Sequence, residues 1–490
     1  MSSIFNEKLI FPQENGKDVE LLVNGDEFYS RYETIDGYTA IYDSDIGEFC
    51  FAEKVHGCLV SSRITIDRKP PKRIKRHLRE NSDIRRKKFD SRFTLMQPEL
   101  SPVLPFDTLR TFGPNNGLLN GRRVSMGKVI GLTIIVEFAD VKSAVTKADV
   151  ESMLNDDSYS SHGNHCSVRE YFSNMSNGEL DYANDVLGPI TLPKNRQFYV
   201  NRPFFADVLN EIVAQGIELS RYDSLGEGVI DAISFMYAGR TLYQGWLWPH
   251  NHTLDWSSNG YSSNFYQISS LGLDTDGLSI GTFCHESGHM LCRFPDLYDY
   301  GKRDGDFQKS AGMGRYCLMS SGNHLDSGKT PSSISAYLRD LAGWPKRVKV
   351  NSPKKYEIEH GDYSSVYIYE TDELNEYYLI ENRHTKGLDS HLPSSGIAVY
   401  HCDTLGSNEH QGGTPTAHYQ CGLLQADGHL DLERNQNTGD SGDFFDDVQG
   451  IALSHDSVPS TLLWDGSDSG LSIKNISKSE EKMTFEVVEN

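Results

Sequence analysis

Short strand-like runs separated by turn residues dominate the first part of the chain. Val19–Val23 and Tyr38–Tyr42 are such runs, and Asn24–Asp26 is typical of the turns between strands. Residues 1–66 are therefore predicted to form a β-rich region. Residues 67–120 are basic and then rich in proline, a composition typical of a linker that contains a little helix.

The pattern changes near Gly121, where strand and helix patterns begin to alternate. Val129–Phe138 is a long, β-branched apolar run that predicts a buried strand. Further strands are predicted at Asp231–Tyr237 and at Phe265–Ser269, the second of them at a sheet edge. Two helices are predicted to start after the capping residues Thr146 and Ser167. Three more are predicted at Phe205–Gln215, Gly281–Leu291 and Pro331–Leu341.

Strand patterns return after residue 346 and predict a C-terminal β-sandwich. The runs concerned are Val366–Tyr369, Tyr377–Ile380, Ile397–Tyr400 and Met483–Val487. The chain has 490 residues, more than the roughly 250–300 at which single cores stop growing, so at least two domains are expected. The patterns predict an α+β protein divided into residues 1–66, 67–120, 121–346 and 347–490.

The chain is strongly acidic, with a formal net charge of -22 at pH 7, which disfavours nonspecific binding of nucleic acid. One basic segment, residues 68–92, departs from this balance. It could contact nucleic acid or acidic lipid, or form a solvated helix. The preferred interpretation is an exposed linker that a protease cuts at Arg85–Lys88.

No apolar run approaches the ~20 residues of a membrane helix, so no integral membrane segment is predicted. The first residues also lack the basic and apolar stretches of a secretory signal. Eight cysteines are spread along the chain without any Cys-x-x-Cys pair, which favours buried free thiols and argues against a zinc site made of cysteines alone. Nothing in the sequence sets an oligomeric state, and a monomer is the default expectation.

The most specific chemical signal is the sequence His-Glu-Ser-Gly-His at residues 285–289. Two histidines four residues apart lie on one face of a helix, so His285 and His289 can reach one zinc ion at roughly 2.0–2.1 Å. Glu286 can take a proton from the zinc-bound water and pass it to the leaving amine. The alternative is a chance match in which His285 is a core histidine.

A hydrolytic zinc site of this kind needs a third protein ligand. Pro295 follows the predicted helix, and the chain is expected to turn there. A carboxylate just past the turn can fold back onto the metal. Asp296 is the preferred third ligand, and Asp299 or a remote glutamate or histidine are the alternatives.

These residues resemble the zinc segment of the immune inhibitor A family, secreted zinc metallopeptidases that are metzincin-like. The resemblance covers most of the chain and includes His285–Leu291 with Pro295–Asp299, and Glu381–Arg383 and Leu424–Gly428 farther on. Cys292 stands where the family usually has glycine, and one extra residue precedes the aspartate. The resemblance implies a zincin-like catalytic domain in the central region.

The resemblance also implies roles for other residues. Gly314–Gly322 looks like the family's methionine turn, which would put Met319 beneath the zinc as an apolar floor. A secreted zymogen is implied, with an inhibitory prodomain at the N-terminus, in which Cys58 is a candidate for blocking the zinc. Tyr222–Asp231 resembles a stretch that looks calcium-binding in other members, although Leu225 interrupts its acidic pattern.

Two further groups of residues could bind ions. Asp427, Asp440 and Asp443 lie in an acidic, glycine-rich loop, and clustered carboxylates suit calcium; the alternative is a solvated turn. His250 and His252 could approach the catalytic cleft, although surface or core positions are favoured for both.

The sequence thus predicts a zinc-dependent endopeptidase that acts on proteins or peptides. Zn²⁺ would be held by His285, His289 and Asp296, and Ca²⁺ is a second candidate ion. Glu286 would be the general base, and substrate would align as an added strand along Phe265–Ser269. The alternative is a non-enzymatic adhesion or binding protein with a vestigial metal site, against which the intact Glu286 argues.

Overall fold

The computed structural model describes residues 4–96, 117–301, 309–409 and 418–489. The part of the predicted linker at 97–116 lies outside the described residues. Helices and strands are mixed and the strands form several sheets, which is compatible with the predicted α+β class. No helix in the described ranges is long and apolar enough to cross a membrane. The helices are α1 (Ser82–Met96), α2 (Lys147–Asn155), α3 (Val168–Met175), α4 (Arg196–Tyr199), α5 (Phe205–Ala214), α6 (Gly281–Cys292) and α7 (Ala336–Ala342).

The N-terminal region is a six-stranded antiparallel sheet in which each strand pairs with the next along the chain. Its strands are β1 (Ile4–Phe11), β2 (Val19–Gly25), β3 (Ser30–Glu33), β4 (Thr39–Asp43), β5 (Glu48–Val55) and β6 (Cys58–Thr65). Two side chains of its apolar core, the buried Trp248 and the partly buried Tyr243, come from the central region. Because the two regions share this core, they are packed tightly together.

Helix α1 lies in the segment predicted as a linker with a little helix, and it contains the predicted cleavage site Arg85–Lys88. Tertiary contacts explain why this basic segment is helical. Phe89 packs on Phe28 with ring centroids 5.0 Å apart. Arg92 donates from Nε to the Glu27 carbonyl at 3.1 Å. The helix therefore belongs to the packed N-terminal region.

The central region is built on a five-stranded sheet in the order β10-β13-β9-β7-β8. Its strands are β7 (Gly127–Glu137), β8 (Leu180–Thr191), β9 (Ile233–Tyr237), β10 (His250–Thr253) and β13 (Phe265–Ser270), and a separate ribbon consists of β11 (Ser257–Ser258) and β12 (Tyr261–Ser262). Strand β10 is antiparallel to β13, and the other neighbours are parallel.

The prediction that Phe265–Ser269 forms a sheet edge is wrong, because β13 lies between β9 and β10. The edge strand on this side of the sheet is β10, whose sequence of histidine, asparagine and threonine has no strand-like apolar pattern. It becomes a strand through its pairing with β13, in which His250 faces Ile268 and Thr253 faces Phe265.

The helix starts follow the predicted capping residues with two differences. Thr146 and Asp149 form a complete capping box at the start of α2. At the start of α3 the Ser167 side chain caps the helix, but the Glu170 side chain accepts from the Ser158 amide and not from the Ser167 amide, so that box is incomplete. Helix α7 begins at Ala336 behind the cap Ser335, not at Pro331 as predicted. The five residues before it stay non-helical.

The C-terminal region contains two sheets, in the orders β14-β16-β17-β18-β19 and β15-β22-β21-β20. Its strands are β14 (Lys346–Lys349), β15 (Lys354–Glu359), β16 (Ser365–Glu370), β17 (Glu376–Arg383), β18 (Gly396–Asp403), β19 (Cys421–Leu423), β20 (Val448–Leu453), β21 (Ser472–Ile476) and β22 (Lys482–Val488). One apolar core lies between the two sheets. The other face of the five-stranded sheet joins the largest core of the central region, so these two regions are continuous.

Candidate metal centre

Helix α6 carries the His-Glu-Ser-Gly-His sequence through the interior, and its residues from Phe283 to Cys292 are buried. The helix ends at Arg293, whose φ of 58° is uncommon for a residue other than glycine. The Arg293 guanidinium donates to the carbonyls of His289 at 2.9 Å and Asn120 at 3.0 Å. These bonds stabilise the turn that brings the chain after Pro295 back to the helix.

The side chains of His285, His289 and Asp296 converge on one point. The two Nε2 atoms lie 3.2 Å apart, and Asp296 Oδ1 lies 3.2 Å from the first and 3.3 Å from the second. A tetrahedral zinc ion with ligands at roughly 2.0–2.1 Å places its ligand atoms about 3.3 Å apart. The three atoms therefore have the spacing of a tetrahedral metal site. Asp299, the alternative third ligand, is not part of this group.

Backbone carbonyls orient both imidazole rings. Nδ1 of His285 lies 2.8 Å from the Leu318 oxygen, and Nδ1 of His289 lies 2.5 Å from the Phe294 oxygen. A carbonyl oxygen only accepts, so each Nδ1 carries the hydrogen and each neutral ring presents a lone pair at Nε2. Burial lowers the pKa of His289 to about 4, which favours the neutral ring. Two lone pairs and a carboxylate oxygen thus face one another, an arrangement that a bound cation stabilises.

Asp296 is fully buried and offers one oxygen to this point. Its Oδ2 accepts a hydrogen bond from the Tyr300 hydroxyl at 2.5 Å, while Oδ1 has no hydrogen-bond donor among the described residues. Burial raises the pKa of this carboxyl, but interactions with His289 and His285 are among those that hold it well below its usual range. Asp296 is therefore a carboxylate with a buried oxygen that suits a metal ion.

Two imidazoles and one carboxylate bind several divalent metals, including zinc and ferrous iron. The geometry by itself defines a group that could hold a divalent ion. Glu286 adds a specific feature, because it follows the first histidine and is fully buried. Burial, together with the carboxylates of Asp296 and Glu286, raises the pKa of Tyr298, so these groups share one electrostatic environment.

The predicted methionine turn lies against α6 and the ligand segment. The Leu318 carbonyl is the one that holds His285. A Cβ atom placed on Gly288 would lie 2.7 Å from the Met319 sulfur, so the thioether touches the helix between the two histidines. The Met319 carbonyl accepts from the Leu297 amide at 2.7 Å. This turn therefore connects the helix with the segment that carries Asp296, the predicted third ligand.

A turn of the N-terminal region, Asp26–Phe28, lies beside the site. The Phe28 ring packs on Tyr300 at 5.3 Å between centroids, and Lys309 donates to Asp26 at 2.6 Å. Glu27 is buried between them, and neither of its carboxylate oxygens has a hydrogen-bond partner among the described residues. Burial raises the pKa of Glu27 well above its usual value, and the charge of Asp296 adds to the effect.

A cavity of about 910 Å³ lies next to this turn. Tyr29 and Arg31 of the N-terminal region, Tyr298 and Ser320 of the central region and Glu433 of the C-terminal region are among its lining residues. The N-terminal region thus forms one wall of a space that adjoins the ligand segment and the methionine turn. Cys58, the residue considered for blocking zinc, lies instead in the hairpin of β5 and β6, opposite Val55.

The second predicted ion site also comes together, because carboxylates of Asp427, Asp440 and Asp443 approach one another. Protein donors already satisfy part of the group. Asp443 Oδ2 accepts from the Tyr316 hydroxyl at 2.6 Å and from the Asp440 amide at 2.8 Å. Burial raises the pKa of Asp443 to about 6. Calcium binding at this cluster stays a prediction.

The other loop considered for calcium, Tyr222–Asp231, has a positive partner from a distant part of the chain. Arg122 donates to Glu227 at 2.8 Å and to Asp231 at 2.6 Å, and its guanidinium lies 3.9 Å from Asp223. One arginine therefore offsets part of the negative charge of these three carboxylates. His250 is fully buried and bonded to Trp248 O and the Tyr266 hydroxyl, so it is a core histidine.

Two residues near the metal centre could not be found from the sequence pattern. Tyr300 bonds Asp296 from four residues away, and Glu409 accepts from the Asp296 amide at 3.1 Å from a distant part of the chain. A tyrosine in a turn and a glutamate in a loop carry no periodic signal. Comparison with known proteins adds no assignment: no protein-family model and no curated protein matches this chain.

Proposed function

We propose that this protein is a zinc-dependent endopeptidase of the kind found in the immune inhibitor A family, whose motifs it resembles. One observation carries the proposal. Two Nε2 lone pairs and a carboxylate oxygen lie 3.2–3.3 Å apart, and the helix that supplies the histidines also supplies Glu286. A His-Glu-x-x-His helix with this third ligand is the arrangement of zinc peptidases.

Each residue has a definite task in this proposal. His285, His289 and Asp296 hold the ion, and their bonds to Leu318, Phe294 and Tyr300 keep the donor atoms oriented. When bound, zinc polarises the scissile carbonyl and lowers the pKa of a water molecule. Glu286 would accept a proton from the water as its oxygen attacks the scissile carbonyl carbon, and would deliver that proton to the leaving amine nitrogen as the C–N bond breaks.

The central region would then be a zincin-like catalytic domain. Its antiparallel edge strand β10 is the strand beside which an extended substrate could add, in place of the Phe265–Ser269 edge expected from the sequence. The Met319 thioether, which touches Gly288, would form the apolar floor under the metal.

The form described here would be latent. His285, Glu286 and Asp296 are fully buried, whereas hydrolysis of a polypeptide requires substrate to reach the metal. The N-terminal region supports this interpretation because its Phe28 packs on Tyr300, the residue that hydrogen-bonds Asp296. The inhibitory contact would involve the turn at Asp26–Phe28 and not Cys58.

The substitution Glu286→Gln tests the proposed activity. The variant should retain zinc but hydrolyse casein about 10²–10⁴-fold more slowly, because the general base is lost while the ligands remain. Zinc is measured by elemental analysis, and digestion is followed before and after cleavage between residues 96 and 117. Glu151→Gln, on the exposed face of α2, is the matched control and should keep full activity.

The alternative function predicts a different result. If the zinc-loaded wild type digests no protein in cut or uncut form, the adhesion or binding protein with a vestigial site is favoured. Equal activity of wild type and Glu286→Gln would contradict the role of Glu286 as the base.

A further inference from the structure

Two residues of the C-terminal region, Asn408 and Glu409, reach into the ligand segment Asp296–Tyr300. They lie between β18 and β19, more than a hundred residues from that segment along the chain. Both are buried. The predicted division into a catalytic region and a separate sandwich assigned neither of them to the metal centre.

Glu409 contacts the third ligand from two directions. Its Oε1 atom accepts from the Asp296 amide at 3.1 Å, and its carbonyl accepts from the Tyr300 amide at 2.9 Å. The Tyr300 hydroxyl in turn donates to Asp296 Oδ2 at 2.5 Å. One residue therefore holds the ligand's backbone and, through Tyr300, also the carboxylate oxygen that does not face the imidazoles.

Asn408 fixes Glu409 to the rest of the C-terminal region. Its side-chain amide donates to the Cys421 carbonyl at 2.8 Å and to the Leu297 carbonyl at 3.3 Å. Its side-chain oxygen accepts from the amides of Gln420 and Cys421, each at 3.0 Å. Because Cys421 belongs to β19, the clamp formed by Asn408 and Glu409 is anchored in a sheet and not in a loose loop.

The ligand segment depends on such support. His285 and His289 are held by the regular backbone of α6, whereas Asp296 follows Pro295 in a segment with no helix or strand of its own. Partners of metal ligands typically change metal affinity by 10–100-fold when they are removed. A ligand outside regular structure has only its contacts to set the position of its oxygen.

We infer that Glu409 is a positioning residue of the metal centre, which makes the C-terminal region part of the zinc site. This inference rests on the proposed zinc site and adds to it a requirement for a distant part of the chain. Glu409 does not touch the reacting atoms; it acts through Asp296. Loss of its carboxylate should therefore weaken zinc binding more than it lowers the stability of the fold.

The test is zinc affinity of the full chain, measured by equilibrium competition with a chromophoric chelator. Glu409→Ala removes the acceptor for the Asp296 amide and should weaken zinc binding about 10–100-fold. Glu409→Gln keeps an oxygen at that position and should stay within about threefold of the wild type. Thermal unfolding of the zinc-free proteins is recorded in parallel.

Glu376→Ala is the matched control. Glu376 is also a buried glutamate of the C-terminal region, and it accepts from the Trp464 amide and from His401, each at 2.7 Å, away from the ligands. This variant should keep wild-type zinc affinity even though it loses comparable hydrogen bonds. Rescue by glutamine at 409, together with normal affinity in Glu376→Ala, supports the inference.

Two results would overturn it. Unchanged zinc affinity in Glu409→Ala shows that the clamp does not position Asp296, and equal losses in Glu409→Ala and Glu376→Ala show a general destabilisation. A wild-type chain that binds no zinc at all is a distinct outcome, since it removes the proposed function and this inference together.

Discussion

At the scale of single residues, main-chain carbonyls accept from the Nδ1 atoms of the two imidazoles and orient them. Leu318 belongs to the predicted methionine turn and Phe294 to the turn after α6, so a different loop orients each histidine. A shift of either loop would rotate an Nε2 lone pair away from the common point. The precision of the site therefore depends on two irregular segments that pack on the helix.

His250 allows a test of how burial affects a histidine outside the metal centre. Burial lowers its pKa well below 6.5, and its neutral ring is bonded to Trp248 and Tyr266. The unfolded chain protonates this residue near pH 6.5 while the folded chain does not, so the unfolded state binds more protons below that pH. The folded state should therefore lose stability as the pH falls below about 6.5.

The measurement compares urea unfolding of zinc-free wild type and His250→Gln at pH 7.5 and pH 5.5. The free energy of unfolding of the wild type should fall more than that of the variant, by up to about 1.4 kcal/mol per pH unit. Zinc is removed first because protonation of metal ligands would add its own pH dependence. Identical pH dependence in the two proteins would show that His250 is protonated in the folded state as easily as in the unfolded one.

Part of the site could be predicted residue by residue. The four-residue spacing of His285 and His289 and the turn at Pro295 placed three groups in one neighbourhood, and the structure brings these groups together. Glu409 could not be predicted, because its contact with Asp296 depends on how the C-terminal sheet packs on the central region. Local sequence patterns carry no information on that packing.

At the scale of elements, α6 is packed more closely at its start than in its middle. A Cβ atom on Gly281 would lie 2.0 Å from the Asn323 carbonyl oxygen, which is a backbone atom. A Cβ atom on Gly288 would lie 2.7 Å from the Met319 sulfur, which belongs to a flexible side chain. Gly281 therefore permits close packing against rigid backbone, whereas Gly288 permits close packing against a flexible side chain.

Gly281→Ala should lower the free energy of unfolding by about 1–3 kcal/mol, because the backbone at Asn323 must move. Gly288→Ala should cost less, since the thioether can change its rotamer and alanine favours a helix interior by about 1 kcal/mol. Urea unfolding of both zinc-free variants measures the difference. A larger loss in Gly288→Ala than in Gly281→Ala would contradict this account of the packing.

The elements with strong local patterns could be predicted, and those set by partners could not. The apolar run at Val129–Phe138 forms β7, and Phe205–Gln215 forms α5. The polar strand β10 exists because β13 pairs with it. There tertiary contacts outweigh a weak intrinsic preference.

At the scale of the whole molecule, three regions meet around one buried helix. The N-terminal region packs on Tyr298 and Tyr300, the central region carries His285, His289 and Asp296, and the C-terminal region hydrogen-bonds the Asp296 amide. The sequence boundaries at residues 66 and 346 mark changes of pattern. They do not separate the cores, because Trp248 and the five-stranded sheet each join two regions.

Removal of the N-terminal region tests the proposed latency. A recognition sequence for a specific protease is placed between residues 96 and 117 of the full chain. Cleavage should raise casein hydrolysis at least tenfold once the N-terminal region has dissociated. Trp248→Ala should speed this dissociation, because the buried tryptophan contributes about 3–5 kcal/mol to the packing of the two regions. Full activity in the uncut chain would contradict the latency.

The central claim is that His285, His289 and Asp296 hold a zinc ion. It is tested most directly by anomalous difference maps from crystals of the purified chain, recorded just above and just below the zinc absorption edge. The account predicts a peak that is present only above the edge, at roughly 2.0–2.2 Å from the two Nε2 atoms and from Asp296 Oδ1. No such peak in zinc-loaded crystals, with the two rings bridged by a proton, would contradict it.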